Sequence, residues 1–234
     1  MTMDLHSQSK EADLHLLLLR YLQSRWEIAF FLVLYCLLTL QVLLFYNETQ
    51  GLSSVGRAIA AFAAFESFVV HRVFYVVTPA TLLPMLCLLF LKQRPSWARK
   101  FLDVLGVYAI FRMVVQLIGL NILVFDVSTS RFLLITQLLF FLPYSLLIWG
   151  WIYWRLDSIG RSNNRPLFRL DCESDCPRPL DYFVASFSSV FSASISGIKG
   201  RLARARILIL LHGIVIFDVM GLTLSRAVAL VQSK

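Results

Sequence analysis

The chain has 234 residues, 58% of them apolar and only 15% charged, with a mean hydropathy of +0.72. A water-soluble domain carries about 25% charged residues, so this chain has too little polar surface to coat a soluble particle and reads as an integral membrane protein. Its net charge of +8 does not indicate nucleic acid, because the basic residues gather beside apolar runs, where Lys and Arg set orientation and attract anionic lipid.

In chain order, residues 1–25 are polar, with an amphipathic stretch at Leu14–Tyr21 suited to the membrane interface and no cleavable signal. Five apolar runs follow that are long enough to span: Trp26–Tyr46, Val69–Leu91, Phe101–Phe125, Phe132–Trp154 and Ile207–Val231. The mostly apolar stretch Ala58–Leu91 would be about 51 Å long as one helix, beyond a bilayer core of about 30 Å. It must therefore bend, tilt or begin as an interfacial helix, and Pro79 and Pro84 offer kinks. Ionisable residues interrupt the runs: Glu66, His71, Arg72, Asp103, Arg112 and Asp218. Each charge near the bilayer centre costs about 2.5–3.5 kcal/mol on insertion scales. Asp103 and Arg112 are too far apart to pair on one helix, so pairing with Arg72 or Glu66 of another helix is expected.

Of the four cysteines, Cys36 and Cys87 lie in apolar runs and are expected to pack. Cys172 and Cys176 sit in a polar loop and would form a disulfide in an oxidising compartment; with no histidine nearby they make only half a tetrahedral metal shell. His6, His15, His71 and His212 form no H-x-x-x-H pair, and no G-x-S-x-G motif or phosphate loop is present. The chain is expected not to be an enzyme, and to use no cofactor and no metal.

Residues 178–200 carry the functional argument. Pro179 and Asp181 favour a helix start, about ten amphipathic residues follow, and Ser192–Gly200 is a stretch of small residues. A helix this short cannot span. It lies on the surface or enters the membrane partway and returns, and non-helical backbone at that depth persists only where protein buries it or water lines it.

In this region the sequence resembles the pore module of tetrameric potassium-type channels, whose pattern is D-Y-x-x-x-S-F-x-T-x-T-T-V-G-Y-G-D-I. Asp181-Tyr182, Ser186-Phe187 and Ile198 fall in register with it; Leu202-Ala203-Arg204 and Leu224–Val228 look like the inner helix of bacterial members, and Phe132–Asp157 looks like the outer helix. The resemblance implies an all-α polytopic transmembrane bundle with a re-entrant pore-helix-like segment, assembled as a homotetramer in a bacterial inner membrane. The implied organisation is an interfacial segment 1–25, transmembrane helices 26–125, and a pore-like module 132–231. That module comprises an outer helix 132–154, a loop 155–180, a re-entrant helix and filter 181–200, and an inner helix 207–231.

Where the family has T-V-G-Y-G-D, this chain has Ser192, Ala193, Ser194, Ile195, Ser196 and Gly197. Serines occupy both filter glycine positions, whose backbone angles cost a residue with a Cβ about 1–2 kcal/mol in the left-handed region. Potassium selectivity is not expected. Lys199, Arg201, Arg204 and Arg206 would ring a mouth and favour anions. Asp218, Gly221 and Ser225 share one face of the last helix, suited either to a wet lumen or to close helix contact. The expected function is an oligomeric ion pathway, anion-favouring or weakly selective. The alternative is a non-conducting sensor or scaffold that binds a cytoplasmic protein through the same basic residues. Expected partners are further copies of the chain, the lipid bilayer and such a protein, with no nucleic acid.

Two orientation signals conflict. With five crossings, most Lys and Arg fall on one side, which the positive-inside rule makes cytoplasmic, whereas the channel resemblance places the loop before the filter outside. The conflict disappears if one early run does not cross, if the pore loop enters from the cytoplasm as in ionotropic glutamate receptors, or if the resemblance is superficial. Lys92–Lys100 are expected in the cytoplasm, with the side of the final loop open.

Overall fold

The computed structural model describes residues 25–45, 61, 64–65, 68–91, 95–125, 131–171, 177–191 and 197–232. Among these, α1 (Trp26–Phe45) is followed by a π-helical stretch (Phe68–Val73) that runs into α2 (Phe74–Phe90). Then come α3 (Trp97–Phe125), α4 (Arg131–Ser162), β1 (Phe168–Leu170), α5 (Pro179–Phe191), β2 (Ile198–Gly200) and α6 (Ala203–Gln232). Three stretches are long and apolar enough to cross a membrane, Trp97–Ile122, Ile135–Ser162 and Ala203–Leu224, which is the build of a membrane protein. Shorter apolar helix is described over Trp26–Gln41 and Tyr75–Phe90. The long stretch before Leu91 is interrupted by the π-helical turn, while Pro79 and Pro84 both lie inside α2. The all-α expectation needs one amendment, since β1 and β2 form a small antiparallel sheet. Three-residue strands are too short to show a period-two pattern in sequence.

The described residues divide into two compact units, those within 25–145 together with 219–232, and those within 146–218. In the first, α1 packs against α2 and α3, and polar side chains fasten the apolar surfaces together. Glu27 is fully buried, and its two carboxylate oxygens accept from the Arg99 fork at 2.7 and 3.0 Å. Arg99 also donates to Asp103 at 2.6 Å, one helical turn away. This corrects the expectation that Asp103 seeks Arg72 or Glu66: a basic residue four positions earlier was within reach on its own helix. Glu66 lies outside the described residues. Gln116 donates to Gln41 at 2.8 Å with both side chains buried, Tyr35 hydrogen-bonds Thr81, and Tyr144 donates to the Ala109 carbonyl at 2.9 Å. Arg112 is fully buried and close enough to Tyr144 and Tyr35 to interact with them electrostatically. Cys36 and Cys87, expected to pack, are exposed.

Glu27→Gln keeps the shape of this link and removes its charge. Because bonds to a charged partner contribute about 1.5–3 kcal/mol and Arg99 is partly exposed, a loss of about 2 kcal/mol is expected. Denaturant unfolding in detergent micelles measures it. An unchanged midpoint would show that the fork contributes nothing.

Candidate functional site

In the second unit α5 contacts both α4 and α6. The α5 helix begins at Pro179, whose missing N–H is not needed in the first turn and whose ring presets φ. Asp181 accepts the backbone N–H of Arg178 at 2.6 Å, the reach-back half of a capping box. The face of α5 that carries Tyr182, Ala185, Ser186 and Ser189 is buried, while the apolar Leu180 and Val184 stay exposed.

Expected to end at Trp154, α4 instead continues to Ser162. It stops in a full Schellman motif: Arg165 N–H donates to the Gly160 carbonyl at 2.8 Å and Asn164 N–H to the Arg161 carbonyl at 3.0 Å. Asn164 sits at φ 55, and Pro166 follows. The extra helix carries Asp157, which is fully buried. One of its oxygens accepts the N–H groups of Leu167 and Phe168 at 2.8 and 2.9 Å. The other accepts Arg161 Nε–H at 2.6 Å and the Tyr182 hydroxyl. Burial, then the neighbouring carboxylate, pushes the Tyr182 phenol well above its ordinary range, so it keeps the proton it donates. One carboxylate thus ties the end of α4, the start of β1 and the first turn of α5.

The β pair closes this assembly at its base. Phe168, Arg169 and Leu170 face Gly200, Lys199 and Ile198, and flanking bonds run from Asp171 N–H to the Gly197 carbonyl and from Arg201 N–H to the Leu167 carbonyl, each 2.9 Å. Gly197 turns the chain into β2 at φ +86, where a Cβ would be strained. The excursion from Asp171 through α5 therefore leaves from and returns to one neck.

Away from the neck, α5 runs back along α4. Gly150 lets the Phe183 ring lie against the α4 backbone, in space a Cβ would occupy. Ser186 donates to the Leu146 carbonyl at 2.8 Å, near the midpoint of the apolar window Ile135–Ser162. Farther along, Ser189 lies 3.5 Å from His212 Nε2, near the midpoint of Ala203–Leu224. His212 is fully buried, stacks on Trp149 (centroids 4.7 Å apart, 14° between planes) and has Tyr153 Oη 2.9 Å from Nδ1. A single proton arrangement satisfies every group. The Tyr153 hydroxyl donates to Nδ1, the Nε2–H of a neutral imidazole points to Ser189 Oγ, and Ser189 donates to the Ser186 carbonyl at 2.6 Å. This latch, and Asp157, were not singled out from sequence as site residues. The spacing of the serines on α5, at 186 and 189, and a lone histidine in an apolar run were the available signals.

Of the filter residues, Ser192, Ala193, Ser194, Ile195 and Ser196 lie outside the described residues, as do Cys172 and Cys176; Gly197 is the turn just described. Lys199, Arg201, Arg204 and Arg206 are all exposed around the neck, with Arg206 Nε donating to the Gly200 carbonyl at 3.3 Å. On α6, Asp218 is half-buried, and a Cβ at Gly221 would meet open space, while the Ser225 side chain is outside the described set. No group of three His, Cys, Asp or Glu among the described residues is arranged to hold a metal ion. No protein-family model, curated protein or solved structure matches the chain, so the site is read from its own residues.

Proposed function

We propose that the chain is a channel-like membrane protein in which α5 is a re-entrant helix, and that several copies, most simply four, surround an ion pathway without potassium-type selectivity. The observation that carries this reading is the neck: a thirteen-residue helix whose excursion starts and ends on one β pair, and whose far end bonds to the mid-lengths of two helices of spanning length. With α4 and α6 across a bilayer, the end of α5 lies near its middle. Backbone polar groups at that depth need shelter from protein or water, and the sequence from Phe191 to Gly197 contains Ser192, Ser194 and Ser196. The exposed apolar face of α6 (Leu210, Ile214, Phe217, Leu224) and the open space at Gly221 suit contact with another copy.

Charge supports entry from the cytoplasm. The neck end carries Arg155, Arg161, Arg165, Arg169, Arg178, Lys199, Arg201, Arg204 and Arg206, a cluster that the positive-inside rule assigns to the cytoplasm. This follows the charge signal and inverts the entry side of potassium-type channels, as in ionotropic glutamate receptors.

Purified protein in sealed liposomes is expected to dissipate salt gradients faster than empty liposomes, with Ser194→Ala or Ser196→Ala altering rate or ion preference. No flux under potassium, sodium or chloride gradients would sink the reading. The four exposed cations at the neck favour a second one, a non-conducting scaffold for an acidic cytoplasmic protein. That reading expects a salt-sensitive complex which is lost when Lys199, Arg201, Arg204 and Arg206 are all changed to Gln.

A further inference from the structure

Beside the neck, the end of α4 and the start of α6 leave an open groove of about 580 Å³. Its floor is apolar, formed by Leu156, Ile159, Leu167 and Leu202. Three of these leucine and isoleucine side chains remain exposed to between 36% and 46%. The rim is cationic and polar: Arg165, Arg204 and Asn163. Neither Arg165 nor Arg204 has an ion pair among the described residues, whereas the nearby Arg161 is committed to Asp157. The volume falls in the range of small-molecule sites, about 300–1,000 Å³.

We infer that this groove binds the headgroup end of an anionic phospholipid. The two guanidiniums hold the phosphate, and the apolar floor takes the first carbons of the acyl chains. Three observations converge on that occupant. Guanidinium forks match phosphate oxygens bidentately. The groove opens at the ends of two helices of spanning length, at the depth where headgroups lie. An apolar floor left in contact with its surroundings has no role for a free inorganic anion, but continues into hydrocarbon for a lipid. The positive end of the α6 dipole, at Ala203, adds attraction for the same phosphate. The inference rests on α4 and α6 lying in a membrane and not on an ion pathway, so an absence of flux leaves it standing.

Native mass spectrometry of the full chain, released from micelles containing equal amounts of phosphatidylglycerol and phosphatidylcholine with identical acyl chains, tests it. The wild type is expected to retain phosphatidylglycerol over phosphatidylcholine by about ten-fold. Arg165→Gln with Arg204→Gln is expected to bring that preference to within about two-fold. The control, Lys199→Gln with Arg201→Gln, removes the same charge outside the groove and should keep the preference. Excess inorganic phosphate should not displace the lipid. Equal retention of the two lipids by the wild type, an undiminished preference in the groove variant, an equal loss in the control, or displacement by inorganic phosphate would each overturn the assignment. The wild-type comparison decides even if the groove variant does not fold.

Discussion

Asp157→Asn is expected to lower stability by about 3–5 kcal/mol, the usual loss when one member of a buried ion pair is removed. The asparagine carbonyl still accepts the Leu167 and Phe168 N–H groups, which the wild-type carboxylate serves through a single oxygen. The amide nitrogen, however, replaces the oxygen that accepts from Arg161 and Tyr182. Tyr182 can rotate its hydroxyl to accept from that amide, but Arg161 Nε–H then faces a donor and its charge is left in a mostly buried place. Tyr182→Phe removes a single bond and should cost about 1–2 kcal/mol. The double variant should lose less than the sum of the two, because both changes strike the same oxygen. Unfolding midpoints in one detergent measure all three. Limited trypsin digestion supplies a local readout, since loosening of the neck should speed cleavage at Arg169. If Asp157→Asn unfolds at the wild-type midpoint and resists trypsin equally, Asp157 does not hold the neck together.

The unequal legibility of these elements has physical causes. Apolar runs of spanning length announce themselves in composition: three of the five expected spans lie in described helices long and apolar enough to cross, and the first is the twenty-residue helix Trp26–Phe45. The start of α5 was also readable, because Pro179 and Asp181 act on backbone groups within one turn. The end of α4 was misplaced at Trp154, although a stop signal stood ten residues later in Asn164 and Pro166. The charged residues Arg155, Asp157 and Arg161 disguised the last turns as a loop. An Asp–Arg pair at i and i+4 had in fact neutralised part of that charge inside a helix. The β pair and the Glu27–Arg99 link were hidden for another reason. Each joins residues far apart in sequence, at sites with no distinctive local pattern, and only tertiary placement makes the partners visible. The filter resemblance concerned residues 192–196, which the described structure does not cover, so the site is defined by what flanks them.

His212→Ala is expected to destabilise the second unit by about 3–5 kcal/mol, combining a cavity with a stranded hydroxyl. The deleted imidazole fills the space between Trp149 and Ser189, and its removal leaves the fully buried Tyr153 hydroxyl without the acceptor it now uses. His212→Phe should separate these two effects. A phenyl ring restores the volume and the stack on Trp149 but accepts no hydrogen bond, so about 1–3 kcal/mol should remain lost. Adding Tyr153→Phe then removes the orphaned hydroxyl as well, and replacing both partners by apolar groups of similar shape is often nearly neutral. The expected order of stability is wild type close to the double Phe variant, then His212→Phe, then His212→Ala. A double Phe variant no better than His212→Phe would show that the Tyr153 bond is not what His212 contributes. The same variant also tests the proposed ion pathway. If it keeps wild-type stability and wild-type flux, the latch serves only to hold α5 against α4 and α6. If stability is kept while flux falls, the polar chain from Tyr153 through His212 to Ser189 takes part in conduction.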